Sequence, residues 1–251
     1  MIDAGKINAL INVASIEELW DRHTRQMEAF GFDRLIYGYT RYRTATSLGD
    51  PDDFVLLTNH DDTYKDVFVG EGLYFDAPMV RWALENDGAC SWSVLHRMIA
   101  DERLTAKERK VVDFNLSHGV TAGYSISFKS VSPRAKGAIA LTARDGMSQA
   151  DVDALWQQWG DEILALNNLV HLRILTLPYT GPGRALTSRQ REVLGWVGDG
   201  KTVQDIALLM GLTTATVEKH LRLARKALCV ETTAQAILKV AFQNQIFILD
   251  R

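Results

Sequence analysis

The chain has 251 residues, 47% of them hydrophobic and 24% charged, with a formal net charge of −3. That balance allows two ordinary globular domains, each able to bury a core, and excludes a disordered or fibrous protein. Cys90, Cys229 and the six histidines make no metal or redox spacing, and there is neither a charged-then-apolar leader nor an uninterrupted apolar span, so the expected home is a reduced cytoplasm without export or membrane insertion.

Val13, Ile16, Leu19, Trp20, His23 and Met27 recur at helical intervals, with Ser15 and Glu18 as a capping box, and predict an amphipathic helix over 12–30. Residues 32–42 are aromatic and β-branched and read as a strand, in which Tyr37, Tyr39 and Tyr42 lie near a core or a ligand. A turn at 49–53 leads to a second strand at 54–58. Helix is expected again over 61–69 and 77–86, where Pro78 is tolerated in a first turn, followed by a short extended piece at 90–94 and a helix at 106–117. Gly119 and Gly123 open a strand through Phe128, and a hairpin connection at 132–137 joins it to a last strand at 138–143. Hairpin signals dominate, so these five strands predict an α/β sandwich: an antiparallel sheet with helices on both faces. Residues 148–174 form one long helix, apolar around more than a narrow stripe, which suits contact with its own sheet and with a second copy through Trp156 and Trp159. The prolines and glycines of 177–183 then mark a linker. The expected division is 1–176, a linker at 177–185, and an all-α domain at 186–251.

The last domain differs in charge. From Arg184 onward the chain carries +4 and before it −7. Thr187 with Gln190 caps a first helix, Thr202 with Asp205 a second that ends at Gly211, and Thr213 a third in which Val217, Leu221, Ala224 and Leu228 form one apolar stripe. Two short helices joined by a glycine turn, the second one basic, fit a helix-turn-helix whose second helix enters the DNA major groove. Lys219 and Arg222 suit guanine edges and Glu218 cytosine N4, while Thr214, Thr216, Arg225 and Lys226 suit phosphates. One such helix reads only a few base pairs, so the expected partner is double-stranded DNA bearing an inverted repeat, bound by a homodimer. The long helix around Trp156 and Trp159 is one candidate dimer surface.

Glu192 and Trp196, Gly200-Lys201-Thr202, Ile206-Ala207, Thr216-Val217, His220, and Lys226 with Leu228 together resemble the DNA-binding signature of the LuxR superfamily. Leu223, Cys229 and Thr232-Thr233 depart from it, standing where the family usually has Asn, Gly and an Asn-Arg pair. The resemblance implies a quorum-sensing regulator whose N-terminal domain holds an acyl-homoserine lactone and whose last helix, with Ile237, Val240, Ala241 and Asn244, offers a second, smaller dimer surface, with RNA polymerase a further candidate partner. The family's pocket pattern, Trp, Tyr, Asp-Pro and Trp, falls by its intervals on Tyr64, Phe68, Ala77-Pro78 and Trp92, with Gly123 further on. Phe68 lacks the hydroxyl and Ala77 the carboxylate that the family offers to the lactone's carbonyl and amide. Tyr39 and Thr142 are added as candidate wall and polar contacts. The expected ligand is a small apolar signal, either an acyl-homoserine lactone held differently or a non-standard molecule such as an aryl ketone or lipid; a ligand-independent regulator is the alternative. Ser91, His96 and Asp101 invite a hydrolase reading, but Ser91 has no nucleophile elbow, so no catalytic residue, metal or cofactor is expected. A response regulator would need repeated βα units, which the hairpins contradict.

Overall fold

The computed structural model describes residues 4–44, 47–181 and 184–246. It divides into two compact units, Met1–Arg173 and Ile174–Arg251.

In the first unit α1 (Ala4–Ile11) and α2 (Ile16–Ala29) lead into β1 (Phe32–Thr40) and β2 (Val55–Thr58). α3 (Asp62–Lys65) runs into a π turn at Asp66–Gly70, and α4 (Pro78–Glu85) precedes β3 (Gly88–Ser91). Then follow α5 (Ser93–Ala100), α6 (Ala106–Ser117), β4 (Gly123–Phe128), β5 (Lys136–Ala143) and α7 (Gln149–Thr176). The sheet has five strands in the order β2-β1-β5-β4-β3, every neighbouring pair antiparallel. This is the sandwich expected from the hairpin signals.

Strand alternation sends the two sides of the sheet to different tasks. On one side Tyr37 and Phe128 meet His171 of α7, the tyrosine hydroxyl lying 2.8 Å from Nδ1 and the phenylalanine ring stacked at 4.2 Å. Tyr124 of the same side stacks on Trp156 at 3.9 Å. On the other side Ile36 and Ala140 pack against Tyr64, Phe68 and Trp92, and the cavity described below lies there.

Two elements depart from the expected pattern. α1 falls in a stretch for which the sequence suggested no element. Residues 93–100 are helical, where 90–94 was expected to be extended: Ser91 Oγ accepts from the Ser93 amide at 3.1 Å, a local turn that ends the strand and starts α5. Ser15 caps α2 by accepting from the Glu18 amide, but the return arm of Glu18 goes to the Ala14 amide. α7 stops at Thr176 because Pro178 disfavours a helical Leu177.

The second unit consists of α8 (Ser188–Gly198), α9 (Val203–Met210), α10 (Thr214–Ala227) and α11 (Thr233–Phe242). Complete capping boxes start α8, α9 and α11, and Gly211 ends α9 with φ 65°, a left-handed conformation that glycine adopts without a Cβ penalty. Val193, Leu194, Ile206, Val217, Leu221 and Leu228 are buried together as its core. The Tyr179 amide donates to Gln243 O at 2.9 Å, and Asn244 Nδ2 to Leu175 O and Leu177 O, so this part of the expected linker is fastened to the end of α11. Pro182 and Gly183 lie outside the described residues. Among the described residues no helix is long and apolar enough to cross a membrane.

Candidate signal cavity and nucleic-acid interface

Between the sheet and the layer of α3, α4 and α6 lies a cavity of about 210 Å³ with a predominantly apolar wall. All six residues named from the sequence, Tyr39, Tyr64, Phe68, Ala77, Trp92 and Thr142, lie on that wall. Tyr64 is 2% exposed and stacks on Phe68 at 5.1 Å. Its hydroxyl donates to Asn115 Oδ1 at 3.0 Å. Trp92 Nε1 likewise donates to Ser125 Oγ at 2.9 Å. The two polar groups at the pattern's conspicuous positions are thus already engaged within the protein. Tyr39 borders the cavity, but its ring lies on the Tyr37 side of the sheet, edge-on to His171, and its hydroxyl accepts from Arg41 Nε at 3.0 Å. Gly123 allows the close approach behind Trp92, since a Cβ there would stand 2.2 Å from Leu141 O and 3.0 Å from the indole.

Ala77 is the N-cap of α4 and provides no side-chain cap, because an alanine has no acceptor. Asp76, one place earlier, does not replace the missing carboxylate: it ends the 3-10 turn before α4, is off the cavity wall, and lies 3.8 Å from Lys107 Nζ.

Two wall residues escaped the sequence reading, His60 and Tyr74. His60 stacks on the other side of Tyr64 at 4.2 Å. Its Nε2 and the Tyr74 hydroxyl are both buried without a hydrogen-bond partner. Burial, with Arg34 nearby, pulls the His60 pKa down to about 4, and burial pushes Tyr74 up to about 12 and Tyr64 upward as well. All three are therefore neutral near pH 7. His60 stands four residues before Tyr64, just ahead of Asp61, the N-cap of α3, a position visible in the sequence; its lack of a partner is not.

The residues of the hydrolase reading do not assemble. Ser91 Oγ donates to Asp153 Oδ1 at 2.6 Å, His96 Nε2 lies 3.0 Å from Thr121 O, and Asp101 pairs with Arg103 at 2.8 Å. Asp153 is held below its ordinary pKa: burial alone would raise it, and hydrogen bonds from Ser91, Gln149 and Tyr124 outweigh that. The serine is bonded to the Asp153 carboxylate, Ser93 and Gln149 rather than to His96 or Asp101, so the three residues of that reading form no triad and Ser91 ties β3 to α7.

In the second unit Val217, Leu221 and Ala224 face the core, which turns Glu218, Lys219, Arg222 and Lys226 outward on α10. None of these four forms an ion pair with a described residue. Thr214 is exposed at the first turn, while Thr216 is half-buried with its hydroxyl 2.9 Å from that of the cap, Thr213. Arg225 is half-buried, and its Nη1 donates to Thr233 Oγ1 of α11 at 2.9 Å.

Comparison with known proteins gives two family matches: the autoinducer binding domain over residues 15–174 and the luxR family of bacterial regulatory proteins over residues 184–240. The chain belongs to the LuxR family of autoinducer-domain regulators. Its function is therefore that of a transcriptional regulator with a signal-binding-type domain and a DNA-binding-type domain. Among relatives, the transcriptional activator protein EsaR of Pantoea stewartii subsp. stewartii is 22% identical over 199 residues, 77% of this chain and 80% of EsaR. The transcriptional activator protein SolR of Ralstonia nicotianae is 28% identical over 222 residues, 83% and 84% of the two chains. Escherichia coli SdiA shares the fold with a TM-score of 0.52 at 14% identity over 97% of both chains. A structure of SdiA in complex with octanoyl-rac-glycerol does so with a TM-score of 0.52 at 15% identity, over 98% of this chain and 95% of that one.

Of the departures from the LuxR signature, Thr232-Thr233 has a local structural account. Thr232 caps α11 in a box with Gln235, and Thr233 receives Arg225. Cys229 is exposed at φ 53°, a left-handed conformation for which glycine is the natural residue. Leu223 is half-buried on α10.

Proposed function

We propose that this regulator binds an inverted-repeat DNA site as a homodimer and that a small, uncharged, mainly apolar signal in its N-terminal cavity controls it. Residues 1–176 act as the signal domain, 177–185 as the linker and 186–251 as the DNA reader. On α10, Lys219 and Arg222 read guanine edges, Glu218 accepts from cytosine, and Thr214, Thr216 and Lys226 meet phosphates. Arg225 serves the phosphate contact and the junction with α11 together, in view of its bond to Thr233. Tyr39, Tyr64, Phe68, Ala77, Trp92 and Thr142 contact the signal. The protein acts in the cytoplasm, without catalysis and without a metal or other cofactor, and RNA polymerase is a candidate partner.

The observation that carries the signal reading is the wall itself: the cavity is sizeable and apolar, and no Asp or Glu is among the described residues that line it. An amide placed there lacks the acceptor that Ala77 fails to supply. A signal unlike the ordinary lactone is therefore favoured, and the octanoyl-rac-glycerol held by SdiA supplies a precedent for a lipid in this fold. The test is to purify the protein from its native host, extract it and identify small molecules by mass spectrometry, while selecting its site from random DNA. A recovered apolar compound and a palindromic site are the expected results. An empty protein that still binds its site at full affinity, with no response to host extract, would favour the ligand-independent regulator.

A further inference from the structure

We propose that Gly38, inside β1, is a specificity-determining residue of the cavity: it leaves the cavity floor open for the distal hydrocarbon end of the signal, and the side chain at this position sets how long a chain fits. This deepens the reading of the cavity as a signal site and rests on it.

Glycine in a strand interior weakens the strand, and it ordinarily marks a bulge, a backbone conformation that other residues avoid, a close approach of neighbouring atoms, or a ligand. The first three do not apply at position 38. There β1 pairs in regular register with Leu56 of β2 and Ala138 of β5, and the register shift of β1 lies between Phe32 and Arg34. The φ of Gly38 is outside the left-handed region, and a Cβ on it would meet nothing within 4 Å. Two other glycines of the sheet behave differently: a Cβ at Gly123 would stand 2.2 Å from Leu141 O, and one at Gly137 2.8 Å from the His171 ring. Packing within the protein demands those two. It does not demand Gly38, which lines the cavity.

The surface around Gly38 points the same way. Leu35 and Tyr37 of β1 and Ile139 and Leu141 of β5 lie on the α7 side of the sheet, and none is more than 2% exposed. Ile36, Gly38, Ala138 and Ala140 line the cavity on the opposite side and are only half-buried, although β1 and β5 are both interior strands. Apolar surface in the middle of a sheet gains by being covered, and an apolar group lying on this floor covers it. Leu56, Ile36 and Ala138, the neighbours of Gly38 there, offer no polar side-chain atom. Ala138 is four residues along β5 from Thr142, roughly 13 Å at about 3.3 Å per residue. A molecule that touches both Thr142 and Gly38 is therefore extended, and its part at Gly38 is hydrocarbon.

The test uses the full chain as wild type, Gly38→Ala and Gly38→Val. Binding of straight-chain primary alcohols from hexanol to dodecanol is measured by displacement of the uncharged dye N-phenyl-1-naphthylamine, and melting temperatures are taken without ligand. Each buried methylene should tighten binding about fourfold, so wild-type affinity should climb along the series until the cavity is full. One carbon added at position 38 displaces about one methylene and three carbons about two or more. The longest alcohol that wild type accepts should thus bind Gly38→Ala about fourfold more weakly and Gly38→Val about tenfold or more, while hexanol binds all three alike. Without ligand, Gly38→Ala should melt about 1–4 °C above wild type, because alanine has less freedom to lose on folding and its methyl meets nothing; a glycine required by the fold would give a fall instead. An equal loss at every chain length, an unchanged length limit in Gly38→Val, or a lower ligand-free melting temperature of Gly38→Ala would each overturn the proposal and leave the signal cavity standing. If wild type takes up neither the dye nor any alcohol, the cavity accepts no apolar molecule, and the proposal falls together with the reading beneath it.

Discussion

Restoring the two missing polar groups of the LuxR-family pocket should make the cavity receptive to ordinary acyl-homoserine lactones. The perturbation is Phe68→Tyr with Ala77→Asp. Both positions are on the cavity wall, 7% and 5% exposed. Ala77 is also the N-cap of α4, where no side chain now accepts from the first-turn amides. An aspartate at an N-cap stabilises by about 1 kcal/mol, with about 0.3–1 kcal/mol more from the helix dipole. Those gains oppose the cost of burying a carboxylate, so the ligand-free double variant should stay within about 2 kcal/mol of wild type. With ligand present, a hydrogen bond from a tyrosine hydroxyl contributes about 0.5–1.5 kcal/mol and one to a charged acceptor about 1.5–3 kcal/mol. Because both groups hold one molecule the contributions are not additive, and the expected gain is about ten- to several-hundredfold in affinity. Thermal stabilisation of both proteins across a chain-length series of acyl-homoserine lactones measures it, since a ligand that binds only the folded state raises the melting temperature. Nanomolar binding of one of these lactones by wild type, with no gain in the double variant, would refute the reasoning and place the amide's acceptor elsewhere.

Four further outcomes are expected. Arg222→Ala should cost about 1–3 kcal/mol at a specific DNA site and relax preference there, whereas Lys226→Ala should weaken specific and random DNA alike; equal losses for Arg222→Ala on both would remove it as a reader. Gly123→Ala should destabilise the first unit by about 3 kcal/mol or more, because its Cβ meets a backbone carbonyl that cannot move aside, and urea unfolding followed by tryptophan fluorescence would measure this. Cys229→Gly should raise the stability of the second unit by about 1 kcal/mol by relieving a left-handed backbone; an unchanged or lower melting temperature would argue against strain there. Burial holds His23, His60 and His171 near pKa 4, against 6.5 for the unfolded chain, so the unfolded state binds more protons in that window and stability is lost as pH falls from 6.5 toward 4, by at most about 1.4 kcal/mol per pH unit for each. His60→Leu should flatten that dependence in urea titrations at stepped pH; a slope identical to wild type would show that His60 is already protonatable in the folded state.

What the sequence discloses and what it hides follow the range of the forces involved. The first three helices of the second unit are set by caps and a glycine turn a few residues long, so Thr187, Thr202, Gly211 and Thr213 disclose them directly. The cavity wall is legible for another reason: spacing along one chain segment carries Tyr64, Phe68 and Ala77 onto the same face. Partnership is not legible, because the partner arrives from a distant element. Trp156 looks like a dimer residue on an unusually apolar helix, yet it is stacked on Tyr124 and closely approached by Gly160, where a Cβ would stand 2.6 Å from the indole nitrogen. Trp159 keeps 41% of its surface and remains available. In α11 the same division recurs. Val240 is 1% exposed and belongs to the core, and Asn244 is engaged with Leu175 and Leu177, so of that helix Ala241, with Leu238 and Phe242, provides the exposed apolar surface.

Arg222 and Arg225 carry this logic into function. They lie three residues apart on one helix and are chemically identical, so sequence can separate them only by their distance from the helix N-terminus. The fold separates them by Thr233, which stands where the family has the second residue of an Asn-Arg pair and which accepts from Arg225. Arg225→Ala should therefore lower the stability of the second unit by about 1 kcal/mol as well as weaken DNA binding, while Arg222→Ala should affect DNA binding alone. Thr233→Val tests the coupling, since it removes the acceptor while leaving the cation in place. If Arg225 is positioned by that bond, Thr233→Val should reproduce part of the loss in DNA affinity with no change in which sequences are preferred. Wild-type affinity in Thr233→Val would show that Arg225 reaches phosphate without help from α11.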